Sequence, residues 1–250
     1  MEGLLDLLGL AKSAELLSLS PPGWGMNLLR GLGKSLQIAF GAFGFGLVIG
    51  LFGAYGKLYG GPVIRDLLAI YTTVVRAVPE LVLILILYFV GTDLINQAAE
   101  ALGYGRVEIS GVAAGIWVLG VVQGAYSTEV LRGAILAVPQ GQIEAARAFG
   151  MPPVMLMRRV TIPAMLSFAL PGLANLWLIA TKDTALLAVV GFSELTLETR
   201  QAASSTRAYF TFFLAAGALY LMVTLMSSAL FQLLERRSRR GQPSLKGAGR

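Results

Sequence analysis

VPQGQIEAARAFGMPPVMLMRRVTIPAML, residues 138–166, is a polar gap between two long apolar runs. Within it Glu144, Ala145, Ala146, Ala148 and Phe149 form a short helix of mostly small side chains, which Gly150 ends and Pro152 and Pro153 keep from continuing. Such a helix has little apolar area to bury against its own chain. Its surface suits a groove on a partner, so the fold turns on what flanks it.

Both flanks are long enough to cross a bilayer, whose core of about 30 Å needs about 20 helical residues. On the N-terminal side Val112 to Val138 carries only Glu129 and Arg132 as charges, and on the C-terminal side Ala164 to Phe192 carries only Lys182 and Asp183. Working outward, Ile38 to Tyr55 and Tyr209 to Leu234 carry no charge, and Leu67 to Gly91 is apolar except for Arg76, Glu80 and a few hydroxyls. Five spans result, an odd number that puts the termini on opposite sides. A four- or six-span count would merge or split the segment around Arg76 and Pro79.

Composition agrees. Of 250 residues 56% are apolar and 14% charged, and the mean hydropathy is +0.71. A soluble globule carries about 25% charged residues, so much of this surface must face lipid. The chain has no Cys and no His, which removes thiol and imidazole catalysis and the usual zinc and haem ligands. Six of the 20 cations, Arg236, Arg237, Arg239, Arg240, Lys246 and Arg250, follow the last apolar run directly. That is the cytoplasmic flank of a membrane helix and not a nucleic-acid arm.

Charge also sets direction. With the C-terminus inside, segments 57–66, 139–163 and 235–250 hold two, three and six Lys/Arg; the longer outside segments hold six, namely Lys12, Arg30, Lys34, Arg106, Arg200 and Arg207. The excess predicts N-terminus out and C-terminus in. The chain divides accordingly into an extracytoplasmic segment 1–35, a transmembrane domain 36–234 and a basic cytoplasmic tail 235–250. The first 17 residues start with Glu2 and Asp6 and lack the basic region of a signal peptide. Leu4, Leu7, Leu8, Ala11 and Ala14 follow a helical stripe, which predicts an amphipathic helix on the outer interface, and residues 92–105 read the same way. Glycines at small-xxx-small spacing, Gly46/Gly50, Gly111/Gly115 and Gly120/Gly124, suit closely packed spans.

The central loop resembles that of the membrane permease subunits of ABC importers, whose signature is Glu-Ala-Ala, three residues, Gly, nine residues, then Ile-x-Leu-Pro. Here Glu144-Ala145-Ala146 is followed by Gly150 and, nine residues on, by Val160, Thr161, Ile162 and Pro163. Only Val for Ile and Ile for Leu depart from the pattern. The resemblance runs from about residue 34 to 238 and points to the polar amino acid branch, with its histidine, lysine/arginine/ornithine and opine permease subunits. GAYGKL (53–58), YTTVVRAVPELVLILILYF (71–89), GAYSTEVLRGAILAVPQGQIEAARAFG (124–150), ALPGLANLW (169–177), KDTALLAVVG (182–191) and LERR (234–237) carry it.

The resemblance implies an all-α integral membrane protein, a five-span type I importer permease in the bacterial inner membrane, multi-pass. It is a transport subunit and not an enzyme. Glu144, Ala145, Ala146, Ala148, Phe149, Gly150 and Pro163, in a coupling loop 139–163, would meet a cytoplasmic ATPase dimer that binds ATP and Mg. Closure of that dimer would move two permease subunits, identical or paralogous, as rigid bodies. An extracytoplasmic amino acid binding protein would deliver substrate. No cofactor and no nucleic acid is expected on this chain. Gly33-Lys34-Ser35 is not a phosphate loop, because Leu28 stands where Gly is required.

Charges inside spans mark candidate substrate contacts. Arg76 and Glu80, four apart, and Glu129 and Arg132, three apart, can each neutralise themselves along one helix face. Lys182 and Asp183 lie beside Thr181 and Thr184 at a polar interruption of the fourth span. For a basic amino acid, Glu129 and Asp183 are the acidic candidates, with Asn175, Trp177, Tyr126 and Thr184 as neighbours. The alternative reading is an ion-coupled secondary amino acid carrier. It would need no ATPase, and the internal repeat usual in carriers is not evident.

Overall fold

The computed structural model describes residues 10–238, and among them every regular element is helical. The order is α1 (Leu10–Leu16), α2 (Gly25–Tyr59), α3 (Pro62–Ala77), α4 (Glu80–Ala101), α5 (Gly111–Leu136), α6 (Gln140–Ala148), α7 (Pro153–Leu156), α8 (Ile162–Asp183), α9 (Leu195–Thr206) and α10 (Tyr209–Ser238). A π-helical stretch Met157–Thr161 joins α7 to α8, and a 3-10 stretch Thr184–Val190 continues α8 to Gly191, whose φ of 86° ends it. Five elements are long and apolar enough to span: α2, α4, α5, the run Pro153–Val190 and α10.

The count of five spans holds, but the second lies elsewhere than Leu67 to Gly91. Pro79 has no N–H, and its ring pushes Val78 out of the helical region to φ −91°, ψ 139°. The helix therefore stops at Ala77 and restarts at Glu80. α3 becomes a separate amphipathic helix burying only Thr72 and Val75, and α4 is the span. The expected interfacial helix over 92–105 is the last part of α4 and then loop. Gly103 at φ 82° takes the left-handed turn that ends α4. The bundle also begins earlier than residue 36. α2 has 35 residues, about 52 Å at 1.5 Å each, and so projects well past a bilayer core. Of the N-terminal stripe, Leu4, Leu7 and Leu8 lie outside the described residues, as do Arg239, Arg240, Lys246 and Arg250 of the tail.

The seam between α2 and α5 is the axis of the fold. A Cβ on Gly46 would stand 2.9 Å from Gln123 Cβ and 3.1 Å from the Gly120 carbonyl oxygen. One on Gly50 would stand 2.4 Å from Ser127 Cβ. Gly46 thus meets the Gly120/Gly124 pair and Gly50 meets Ser127 and Thr128, so the two backbones approach closely along this seam. α8 packs into the α2–α5 pair, α3 and α4 cover one side, and α9 and α10 cover the other. Ala54, Leu131, Ile135, Val138 and Met165 fill the core at the α6 end. Ile38, Ile84, Val118 and Leu187 fill the other half, and Leu28, Leu32, Leu195 and Phe212 pack beyond it around α9. Apolar side chains such as Phe52, Phe89, Leu214 and Leu225 point outward, as a lipid-facing exterior requires.

Candidate functional site

Helix α6 is a knob on the end of the bundle. Ala146 is buried, and Ile143 packs on the core cluster of Leu131, Ile135 and Met165, so one face anchors it. Glu144, Ala145, Ala148 and Pro163 are exposed, and Phe149 is 86% exposed. The helix ends in a paired turn: Gly150, at φ 71°, donates its N–H to the Arg147 carbonyl at 2.9 Å, and Met151 donates to that of Ala146 at 3.1 Å. An apolar hollow of about 630 Å³ adjoins the knob, lined by Tyr55, Tyr59, Met151, Val154 and Ile162, with Arg147 at its edge. The face opposite Ala146 is open for docking. Ile143 was not singled out in the sequence, although it is the one large apolar residue within α6.

Two carboxylate sites occupy the spans. In the first, Glu129 on α5 receives Lys57 of α2 at 2.5 Å and Arg132, one turn on, at 2.9 and 3.1 Å. Lys57 also donates to Thr72 on α3 at 2.9 Å. The side chains of Lys57 and Glu129 are only 14% and 19% exposed. The expected self-neutralisation with Arg132 is present, and Lys57 adds a link across helices that closes the site.

In the second, Asp183 at the end of α8 lies close enough to Glu80 to interact with it, and Tyr126 of α5 feels both acids. Glu80 opens α4, where the helix dipole favours a negative charge. Arg76 is not its partner, because the break at Val78–Pro79 puts the two on different helices. Among the described residues neither Glu80 nor Asp183 makes an ion pair, although Lys182 and Arg76 act on the site from nearby. A polar spot with two half-exposed acids follows. Glu80 was read as half of a helix pair; the V-P-E boundary was the signal that it starts a new helix.

The remaining candidates scatter. Trp177 is buried, packs on Phe40 and Phe43 at 4.4 and 5.5 Å between centroids, and donates its indole N–H to Ser227 of α10 at 2.9 Å. Thr184 is buried and donates to the Thr181 carbonyl at 2.8 Å. Asn175 is exposed on the outer face of α8. The structure therefore brings together Tyr126 and Asp183 with Glu80, and places Glu129, Trp177, Thr184 and Asn175 in other surroundings.

At the opposite end Glu194 is fully buried and caps α9. It accepts from the Leu197 N–H at 2.8 Å, and from the Ser35 and Tyr220 hydroxyls at 3.2 Å each. Burial pushes its carboxyl above the ordinary range, and hydrogen bonds from the Thr196 and Leu197 amides, Ser35 and Tyr220 oppose that. One carboxylate thus ties α2, α9 and α10 together.

A five-span helical bundle with small-residue seams, a projecting knob and polar groups in its spans defines a membrane-embedded transport subunit. Residues 46–240 match the family described as the binding-protein-dependent transport system inner membrane component, and the chain belongs to it. It is 40% identical over 229 residues to the octopine transport system permease protein of Rhizobium radiobacter, covering 91% of this chain and 97% of the relative. It is 39% identical over 215 residues to the histidine/lysine/arginine/ornithine transport system permease protein of Escherichia coli strain K12, covering 86% and 94%. Among solved structures, an amino acid ABC transporter crystallised with histidines superimposes with TM-score 0.72 at 33% identity, over 86% of this chain and 95% of that one. The inward-facing MetNI methionine ABC transporter shares the fold at TM-score 0.70 and 22% identity, over 88% and 99%. The protein is a permease subunit of an ABC importer, a multi-pass protein of the bacterial inner membrane and not an enzyme, and such an importer implies ATPase and binding-protein partners.

Proposed function

We propose that this permease carries cationic amino acids or opines inward, with α6 on the cytoplasmic side as its contact with the ATPase. The observation that carries the substrate class is the Glu80–Asp183 pair. Two acids brought together from two helices, neither with an ion pair among the described residues, form a site without a counter-cation of its own, and a cationic substrate would supply one. An ammonium or guanidinium group supplies that cation and gains charge-assisted hydrogen bonds. The octopine and the histidine/lysine/arginine/ornithine permeases support the same class.

The coupling reading rests on the exposed face of α6. Glu144, Ala145, Ala148 and Phe149 would enter a cleft of the ATPase, with Gly150 and Pro163 fixing the angle of the knob. ATP and Mg bind on the ATPase. Its closure would push the knob, and the tight α2–α5 seam would carry the push through the bundle as a rigid body toward alternating access. A second permease subunit, identical or paralogous, completes the pathway. The N-terminus lies outside and the basic tail inside in this arrangement.

The test is Glu144→Lys in the reconstituted transporter, with ATP hydrolysis and uptake of labelled arginine measured together. Hydrolysis that continues while uptake falls at least tenfold supports coupling through α6. Uptake and hydrolysis that both stay at wild-type levels would sink it.

A further inference from the structure

At the end of the bundle away from α6, α1 lies against the first turns of α10, and a groove of about 760 Å³ runs between them. Its walls are apolar: Leu16 and Leu17 on one side, Leu214, Ala215 and Ala218 along the other. Ala218 stands more than two turns into a helix long and apolar enough to span, so the groove follows the outer part of that helix toward the bilayer. Its mouth is polar. Lys12 and Arg207 stand there with Ser13 and Thr211, which hydrogen-bond each other at 3.2 Å.

Two features of the mouth are informative. Neither Lys12 nor Arg207 makes an ion pair among the described residues. Arg207 also sits at φ 61°, in the left-handed region where Gly or Asn is favoured. The other described residues with positive φ, Gly103, Gly150 and Gly191, are all glycine in a chain that has 30 of them. Arg at this one turn accepts a strained backbone and puts a cation at the mouth of an apolar trough.

We infer that the groove holds an anionic phospholipid, with its phosphate between Lys12 and Arg207 and one acyl chain along α10. Charge complementarity selects the occupant. Two cations without an ion pair among the described residues call for an anion, and a trough that follows a spanning helix toward the bilayer calls for that anion to carry a hydrocarbon chain. A soluble anion would leave the trough uncovered, and a neutral lipid would leave the cations unmatched.

The test uses the transporter assembled with its ATPase and partner permease, taken from nanodiscs of phosphatidylcholine with or without phosphatidylglycerol and weighed by native mass spectrometry. Wild type should retain phosphatidylglycerol and shed phosphatidylcholine. Arg207→Gly removes the charge while giving the left-handed position its preferred residue, so the fold is kept. Combined with Lys12→Gln it should lower retention about thirty-fold, as two interfacial cations would account for. Ala218→Phe should lower it too, by filling the trough without changing charge. Equal retention of both lipids, retention unmoved by these variants, or a photo-crosslinker at position 218 that labels another subunit and not lipid would overturn the proposal.

Discussion

Two carboxylate sites lie in the membrane-spanning part of this permease, and they are built on opposite principles. Glu129 is answered twice, by Lys57 across the α2–α5 seam and by Arg132 along α5. Asp183 is answered by another acid, Glu80. A membrane charge is costly unless paired, so the first arrangement is a paired joint, while the second has no counter-cation among the described residues. Position in a span does not separate the two roles. What separates them is whether a neighbouring helix delivers the counter-charge.

The strongest way to break this contrast is Glu129→Leu. It leaves Lys57 and Arg132 without their anion at a joint that is largely buried, and losing one partner of such a pair costs about 3–5 kcal/mol. Arg132 is partly solvated, which places the expected loss near the lower end. The yield and Tm of the purified complex should fall sharply, and adding Lys57→Met should recover much of both. Glu129→Leu at full yield, with only uptake lost, would return Glu129 to the substrate pathway.

Next in size is Gly50→Ala. Its Cβ would stand 2.4 Å from Ser127 Cβ and 2.9 Å from the Ser127 carbonyl carbon, and a backbone neighbour cannot step aside. Overpacking of this kind costs about 1–3 kcal/mol. The seam holds Lys57 on one side and Tyr126 and Glu129 on the other, so both Tm and uptake should drop. Gly217→Ala on α10, where nothing lies within 4 Å, should instead hold or raise Tm, because Ala favours a helix over Gly by up to about 1 kcal/mol. If the two substitutions behave alike, the α2–α5 seam is not a close backbone contact.

Asp183→Asn and Glu80→Gln sharpen the comparison from the other side. Each removes one acid from an unpaired set, so Tm should stay level or rise. Arginine uptake should fall about tenfold or more, since a charge-assisted hydrogen bond contributes about 1.5–3 kcal/mol. The measurement is labelled uptake in proteoliposomes at matched protein content. Unchanged uptake in both variants would remove this pair from the substrate site.

The five spans and the exposed knob were legible in the sequence because each is a local property, a run of apolar residues or a glycine-ended stretch of small ones. The surroundings of Glu129 and Asp183 were not. Lys57 lies 72 residues from Glu129 along the chain, and periodicity tells which way a side chain points on its own helix but not which helix stands opposite. Glu80 was the intermediate case. Pro79 marks the boundary, but the long apolar run on both sides of it gives a single residue little weight in a count of spans.

A third carboxylate, Glu194, tests whether hydrogen bonds alone can hold an acid in such a bundle. It has no cation among its partners, and burial holds its carboxyl above the ordinary 4.5 despite two backbone amides and the hydroxyls of Ser35 and Tyr220. A raised folded-state value means that the native chain holds this proton more tightly than the unfolded one. The stability it contributes is full below about pH 4.5 and is lost as pH rises through the raised value. Glu194→Gln copies the neutral form. Its Tm should therefore exceed wild type slightly at neutral pH and converge on wild type as pH falls toward that of the free acid. Glu194→Ala removes the cap of α9 and should lose about 1 kcal/mol at low pH, with the gap to wild type narrowing as pH rises through the raised value. A Gln variant less stable than wild type at neutral pH, with the gap closing on acidification, would mean that the four hydrogen bonds outweigh burial, and that this acid is as fully satisfied as Glu129.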